Sequence, residues 1–263
     1  MRARREPVPY PAADAPVRRA GGRDTRGSRT DTVSGQTAGC RRPRGFRRVE
    51  HLTRPGHSGA GRPPAHRHRP TALPATWSGK AGSVKNRVHL DLATPSAAHQ
   101  AELVARLRAL GATPADVGQG DVPWTVLADP DGNEFCVLEP RESYRDTQPI
   151  AAVVVDCADP RAMARFWDEA TDWTLHRVTD GHAVLRSAKG VGPYLEFLRK
   201  PGVKTLPDRV HLDLAPCPSD DQEAEVTRLR ALGAADLDLG QDDVSWRCLT
   251  DPDGHEFCVL ARP

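Results

Sequence analysis

The sequence predicts an α+β fold built from repeated β-α-β-β-β units, and three observations carry that prediction. First, residues 208–260 repeat residues 86–138 at a constant offset of 122 with no gap, and 32 of the 53 positions are identical. That level of identity marks an internal duplication. Second, each copy opens on strict apolar–polar alternation, passes to a helical period, and ends in short alternating runs around an Asp-Pro-Asp-Gly turn. Third, residues 150–207 follow the same order of patterns with different residues. The chain therefore reads as unit A (86–140), a polar linker, unit B (150–207) and unit C (208–263).

Unit C shows the elements most plainly. In RVHLDLA, Val210, Leu212 and Leu214 point one way, and Arg209, His211, Asp213 and Ala215 the other, as in a strand with one apolar and one polar face. Ser219 or a following Asp supplies a helix cap for EAEVTRLRALGA. There Val226, Leu229 and Leu232 share a face, and Gly233 ends the helix. Leu237 and Leu239 suggest a short strand, and VSWRCLT a second. In the DPDG turn Pro252 presets φ and Gly254 relieves a left-handed position. HEFCVL is the last strand. In unit B, IAAVVVDC is the opening strand. Asp159 caps a helix with Pro160 at its first position, and three strands follow. Unit A copies unit C.

Residues 1–70 contain 17 Arg, no Lys and 5 acidic residues, so they carry +12, and residues 71–263 carry −10. An acidic patterned region argues against nucleic-acid binding by that region. Residues 1–83 lack periodic apolar residues, cannot bury enough surface to offset their ordering entropy, and are expected to be disordered. A basic tail for nucleic acid or a transit peptide is the functional reading of that segment. A third reading comes from the duplication. The counterpart of unit B should begin near residue 28, and nothing there resembles it. An ancestral half-domain is then lost or frame-shifted, with the frame resuming near residues 79–85. The layout expected is a segment 1–83, a half-domain 84–140, a linker 141–149 and a complete domain 150–263. No apolar run reaches membrane-spanning length, and the six Cys form no CxxC pair, so a cytoplasmic protein with reduced thiols is expected.

The paired β-α-β-β-β units, the HLDL strand leading to a helix that ends ALGA, and the DPDG turn before the last strand resemble the vicinal oxygen chelate superfamily, specifically its glyoxalase-like (glyoxalase/bleomycin-resistance) proteins. The resemblance covers residues 84–263. It implies that two units pair edge to edge into a curved mixed sheet, a cup that often holds a divalent metal. Units B and C would then form one complete cup. Unit A would be half of another, with an unpaired edge that leaves it unstable alone, or docked against the B–C domain or against another chain as in a homodimer. The activity implied is that of a metal-dependent lyase, isomerase or dioxygenase, in which the metal chelates vicinal substrate oxygens. The alternative is a non-catalytic binding or drug-sequestering protein.

Alternation decides which side chains face the cup. In unit C the apolar set packs under the helix, which sends His211 and Asp213 to the concave face. Glu256, Cys258 and Leu260 follow from the last strand, with Trp246 and Cys248 inward on the strand before it. Glu196 is the inward carboxylate of unit B. Arg209 either neutralises Asp213 or Glu256 or anchors an anionic substrate. Such a set makes a pocket for a small polar molecule. By resemblance, His211, like His89 in unit A, stands where the family has a metal-binding histidine. Ala152 stands where the other is often found, and Cys258 (Cys136 in unit A) occupies the place of the metal glutamate. The expected metal set is His211 and Glu256, with Glu256 or Glu196 as ligand or general base. Each residue also has a structural reading. His211 can be a hydrogen-bonded strand residue, Cys258 a small buried hydrophobe, Trp246 cup packing, and Asp251 and Asp253 turn formers.

Overall fold

The computed structural model describes residues 49–50, 85–202, 204–215, 221–241 and 244–261. The expectations for residues 1–83 lie outside these, apart from strand β1 (Val49–Glu50). Unit A comprises β2 (Val88–Leu92), α1 (Ala97–Ala109), β3 (Thr113–Pro114), β4 (Thr125–Ala128) and β5 (Glu134–Val137). Unit B comprises β6 (Ile150–Cys157), α2 (Pro160–Ala170), β7 (Trp173–Val178), β8 (His182–Ser187) and β9 (Tyr194–Arg199). Unit C comprises β10 (Leu212–Leu214), α3 (Gln222–Ala231), β11 (Ala235–Asp236), β12 (Arg247–Thr250) and β13 (Glu256–Val259). The predicted α+β class and unit order hold. The short strand of unit C falls at Ala235–Asp236 rather than at Leu237 and Leu239, because Ala235 and Asp236 pair with Thr250 and Leu249. The α3 cap is Asp221, whose side chain accepts from Ala224 N, and α2 starts on Asp159 and Pro160 as read.

The pairing of units differs from expectation. Units A and B, not B and C, share a sheet. Its order is β3-β4-β5-β2-β6-β9-β8-β7, with β2 antiparallel to β6 and His89 opposite Val154. Unit A is therefore not an orphan, and its opening edge needs no second chain. The physical reason lies in β6. Seven of its eight residues are buried, the signature of a central strand covered on both faces. Unit C forms a second sheet, β1-β10-β13-β12-β11. There β1 lies antiparallel on β10, with Val49 opposite Leu214, in the place that β6 occupies beside β2.

Units B and C meet through their helix sides instead. α2 buries Met163, Ala164, Phe166, Trp167 and Ala170, and these share one core with Leu212, Leu214, Val226, Leu229, Phe257 and Val259. The Trp167 and Phe257 rings meet edge to face at 5.3 Å, a geometry that adds about 0.5–1.5 kcal/mol beyond area burial. Arg228 of α3 donates to Glu169 O (2.8 Å) and Ala170 O (2.9 Å), capping the C-terminal carbonyls of α2. With the apolar faces of β10 and β13 committed to this core, their other faces are left for the cup.

Candidate functional site

The polar face of unit C lines a pocket of about 240 Å³. His211, Asp213, Trp246, Cys248, Glu256 and Cys258 contribute to its wall, together with Leu239, Gln241, Phe257 and Leu260. Parallel pairing of β10 with β13 sets Asp213 beside Cys258, and antiparallel pairing of β12 with β13 sets Cys248 opposite Cys258. Three side chains are thereby brought together. His211 Nε2 lies 3.2 Å from Asp213 Oδ1 and 3.6 Å from Cys258 Sγ. The ligand atoms of His211, Asp213 and Cys258 all lie within 4.8 Å of one another. Cys248 Sγ is 3.6 Å from Cys258 Sγ. The Asp213 carboxylate is buried, with His211 Nε2 as the neighbour of its Oδ1.

The electrostatics follow from these contacts. A hydrogen bond with Asp213 holds the His211 imidazole above its usual range, outweighing the burial that would lower it. The Cys248 thiol is drawn down to about 7, first by the hydrogen bond from Cys258 and then, against burial, by His211. Cys258 is pushed up by the same hydrogen bond and by burial. The pair thus splits into one readily ionised and one protonated thiol.

Three predicted site residues lie elsewhere or are otherwise engaged. Glu196 is not in this pocket. It belongs to the A–B sheet, 2% exposed, where it accepts from Tyr144 Oη (2.8 Å) and lies 2.9 Å from His182 Nε2. It sits there because β9 pairs with β6 in the other cup. Arg209 is not in the pocket wall either. Its guanidinium reaches across to unit A, donating to Asn86 Oδ1 (3.0 Å), Asp131 O (3.1 Å) and Gly132 O. Glu256 reaches the pocket, but its carboxylate accepts from Asp208 N (3.0 Å) and pairs with Lys204. In unit A Glu134 likewise accepts from Asn86 N (3.2 Å). The contact recurs in both copies and anchors the chain entering the first strand, and the side chains grouped with His211 are Asp213 and Cys258 rather than Glu256. Trp246 is also held as in the other copy. It donates to Gln241 Oε1 (3.2 Å), and Trp124 donates to Gln119 Oε1 (2.9 Å).

Unit A carries the same trio, His89, Asp91 and Cys136, also within 4.8 Å. All three are buried. Burial, aided by the charge of Lys85, drives the His89 pKa down to about 3. The linker closes this cup. A short 3-10 turn, Glu142–Tyr144, tucks the Tyr144 ring in against Tyr194, with centroids 5.8 Å apart, and Arg141 lies over the Trp124 and Tyr144 rings. By its composition this stretch is a polar spacer, and neither Tyr144 nor His182 stands out in the sequence. The one signal available was an isolated aromatic in a polar run, which does not by itself indicate burial. Alternation places Cys248 inward but does not pair it with Cys258. Its signal was a difference between the copies, since the matching position in unit A is Val126, opposite Cys136.

The family model for the glyoxalase-like domain matches residues 27–138 and 152–260. The match begins well before residue 84 and so takes in residues that the sequence resemblance had left out. Comparison with curated proteins gave no match. Among solved structures, glyoxalase I from Zea mays is similar at 18% identity, covering 66% of this chain and 66% of that chain with a TM-score of 0.46. A glyoxalase-related enzyme from Fulvimarina pelagi is similar at 20% identity, covering 44% of this chain and 89% of that chain, TM-score 0.34. A glyoxalase/bleomycin resistance protein/dioxygenase family enzyme from Burkholderia phytofirmans PsJN is similar at 16% identity, covering 41% and 94%, TM-score 0.31. The chain spans 66% of the length of the maize enzyme. With the family model matching most of its length, the chain belongs to the glyoxalase-like domain family of the vicinal oxygen chelate superfamily.

Proposed function

We propose that this protein binds a small polar molecule in the unit C pocket, beside a His–Asp–Cys centre that accepts a divalent cation. The observation that carries the reading is the convergence of His211, Asp213 and Cys258 on one point of a pocket that also offers the Trp246 indole. A volume of about 240 Å³ falls below the roughly 300–1,000 Å³ of pockets for drug-sized ligands and suits a metabolite-sized one. The buried Asp213 carboxylate, set beside His211 Nε2 and Cys258 Sγ, is the kind of anionic donor a cation satisfies. A cation held by His211, Asp213 and Cys258 would supply Lewis acidity to vicinal oxygens of the ligand. The chain's own contribution is to orient the ligand between Trp246 and Leu260, keep water from its apolar side, and present the Cys248 thiol at the pocket wall.

Turnover as a lyase, isomerase or dioxygenase is the second reading, favoured by the same cluster. Against it stands the base: Glu256 is held by Lys204 and Asp208, and Glu196 lies in the other cup. Non-catalytic binding therefore fits the geometry better. No helix among the described residues is long and apolar enough to cross a membrane, and we place the protein in the cytoplasm as part of the proposal.

The test is a thermal-shift screen of small oxygen-rich metabolites against the full chain, followed by calorimetry. A ligand at a hundred times its Kd stabilises by about 2.7 kcal/mol. His211→Gln is expected to abolish that gain and His89→Gln to keep it. A ligand whose effect survives His211→Gln but not His89→Gln overturns the assignment.

A further inference from the structure

The two copies differ at one position that faces the His–Asp–Cys trio. Opposite Cys136 stands Val126, whereas opposite Cys258 stands Cys248. From this difference and its geometry we infer that Cys248 and Cys258 are a modification site. A hydroperoxide couples them into a disulfide across β12 and β13, and a dithiol reductant reopens it. The inference goes beyond the proposed ligand pocket and needs no cation.

The strand register carries it. At the hairpin turn Asp251 N donates to His255 O (2.9 Å), so residues 251 and 255 form a hydrogen-bonded pair. Bonded and non-bonded pairs alternate along an antiparallel ladder. Leu249–Phe257 is therefore the next bonded pair, and Cys248–Cys258 is a non-bonded one. Two contacts agree. The Cys248 carbonyl accepts from Leu237 N just past β11 (3.1 Å), and Leu260 N, two residues on from Cys258, donates to Leu214 O of β10 (2.9 Å). The two backbones thus turn away from each other at this pair. Opposed Cα atoms at such a pair lie about 4.5 Å apart, with their side chains close, and a disulfide takes Cα separations of roughly 4.4–6.8 Å. The Sγ atoms are already 3.6 Å apart. Joining them at about 2.05 Å needs rotation of the side chains rather than movement of the strands. Access assigns the roles, since Cys248 is half-buried on the pocket wall and Cys258 is buried. The Cys248 sulfur attacks the O–O bond, keeps one oxygen as a sulfenic acid and releases an alcohol, or water from hydrogen peroxide. The Cys258 sulfur then displaces that oxygen as water and the S–S bond forms. Each thiol gives up one proton and one electron, and the peroxide bond takes up both electrons. Cys136, opposite Val126, has no such resolving thiol across its strand pair.

The test uses the full chain, reduced, freed of metal by a chelator and exposed to hydrogen peroxide. It is then denatured, alkylated and mapped by mass spectrometry. No Lys or Arg lies between residues 248 and 258, so trypsin keeps both cysteines on one peptide, and a second cut before Asp251 separates them. The expected result is that the two pieces stay joined, with two hydrogens and both alkyl groups missing, and that excess dithiothreitol reverses this in full. Cys136 and Cys157 should remain alkylated. Cys258→Ser should lose the cross-link and accumulate instead a sulfenic acid at Cys248 that dimedone traps. Cys248→Val copies unit A at this position and should leave Cys258 reduced, with folding checked by its melting temperature against wild type. The wild-type map decides alone if either variant fails to fold. Three results overturn the inference: both thiols still alkylated, Cys248 carried to sulfinic or sulfonic acid with Cys258 still alkylated, or a bond from Cys248 to another cysteine. The ligand screen with His211→Gln succeeds or fails independently of all of them.

Discussion

The same His–Asp–Cys trio occurs twice in this chain, and its surroundings set the two copies to opposite tasks. In unit A the trio faces the interior of the eight-stranded A–B sheet, under the Tyr144 plug, and burial holds His89 neutral down to a pKa of about 3. In unit C the trio lines a pocket that, among the described residues, reaches solvent, and Asp213 holds His211 above its usual range. Unit A's partner position is Val126 and unit C's is Cys248. Likewise the Asn86–Asn133 amide pair of unit A (3.2 Å) becomes the Asp208–His255 pair of unit C (2.8 Å). Identity of sequence at a site therefore does not establish a second site. Whether a cup is filled by its own linker decides whether the residues facing it are packing or chemistry.

The largest effect that would break this comparison is in acid. His89 has a folded pKa near 3 against 6.5 in the unfolded chain. Between those values the unfolded state binds the extra proton. The stability His89 contributes is thus complete above pH 6.5 and is lost as pH falls, by about 1.4 kcal/mol per pH unit well inside the window. Urea midpoints taken in steps from pH 6.5 to 4.5 should show this slope in wild type, and His89→Gln should flatten it. An unchanged slope would mean that His89 meets water in the folded state.

A smaller effect concerns the two carboxylates that a sequence reader takes for chemistry. If Glu256 is an anchor as Glu134 is, Glu134→Gln and Glu256→Gln should cost similar stability, about 1–2 kcal/mol each for the lost charged hydrogen bond. Glu256→Gln should then leave ligand affinity within about threefold, a change under ~0.7 kcal/mol. A tenfold loss of affinity with no loss of stability would return Glu256 to the site.

How far this was legible in the sequence depends on what determined each feature. The units, their caps and turns, and the inward set His211, Asp213 and Cys258 follow from local period and alternation, and the structure has them. Which units share a sheet was not legible. The strands that could pair with β6 are the near-identical VHLDL of unit A and LDL of unit C. Nothing local distinguishes them, and only long-range packing chooses. Glu196 and Arg209 were misplaced for that reason: each faces where alternation put it, but in a different assembly of units. Tyr144 was missed because burial of a linker residue depends on the cup it happens to cross.

The central claim is that unit C carries the accessible centre and unit A a sealed copy of it. The most direct measurement is the rate at which each cysteine of the native, reduced, metal-free protein reacts with a thiol reagent, resolved by peptide mapping. Cys248, half-buried and drawn down to about 7, should be labelled on the order of a thousandfold faster than Cys136, which is buried and held up by burial and by Asp91. Comparable labelling of Cys136 and Cys248 in the folded protein would contradict the account.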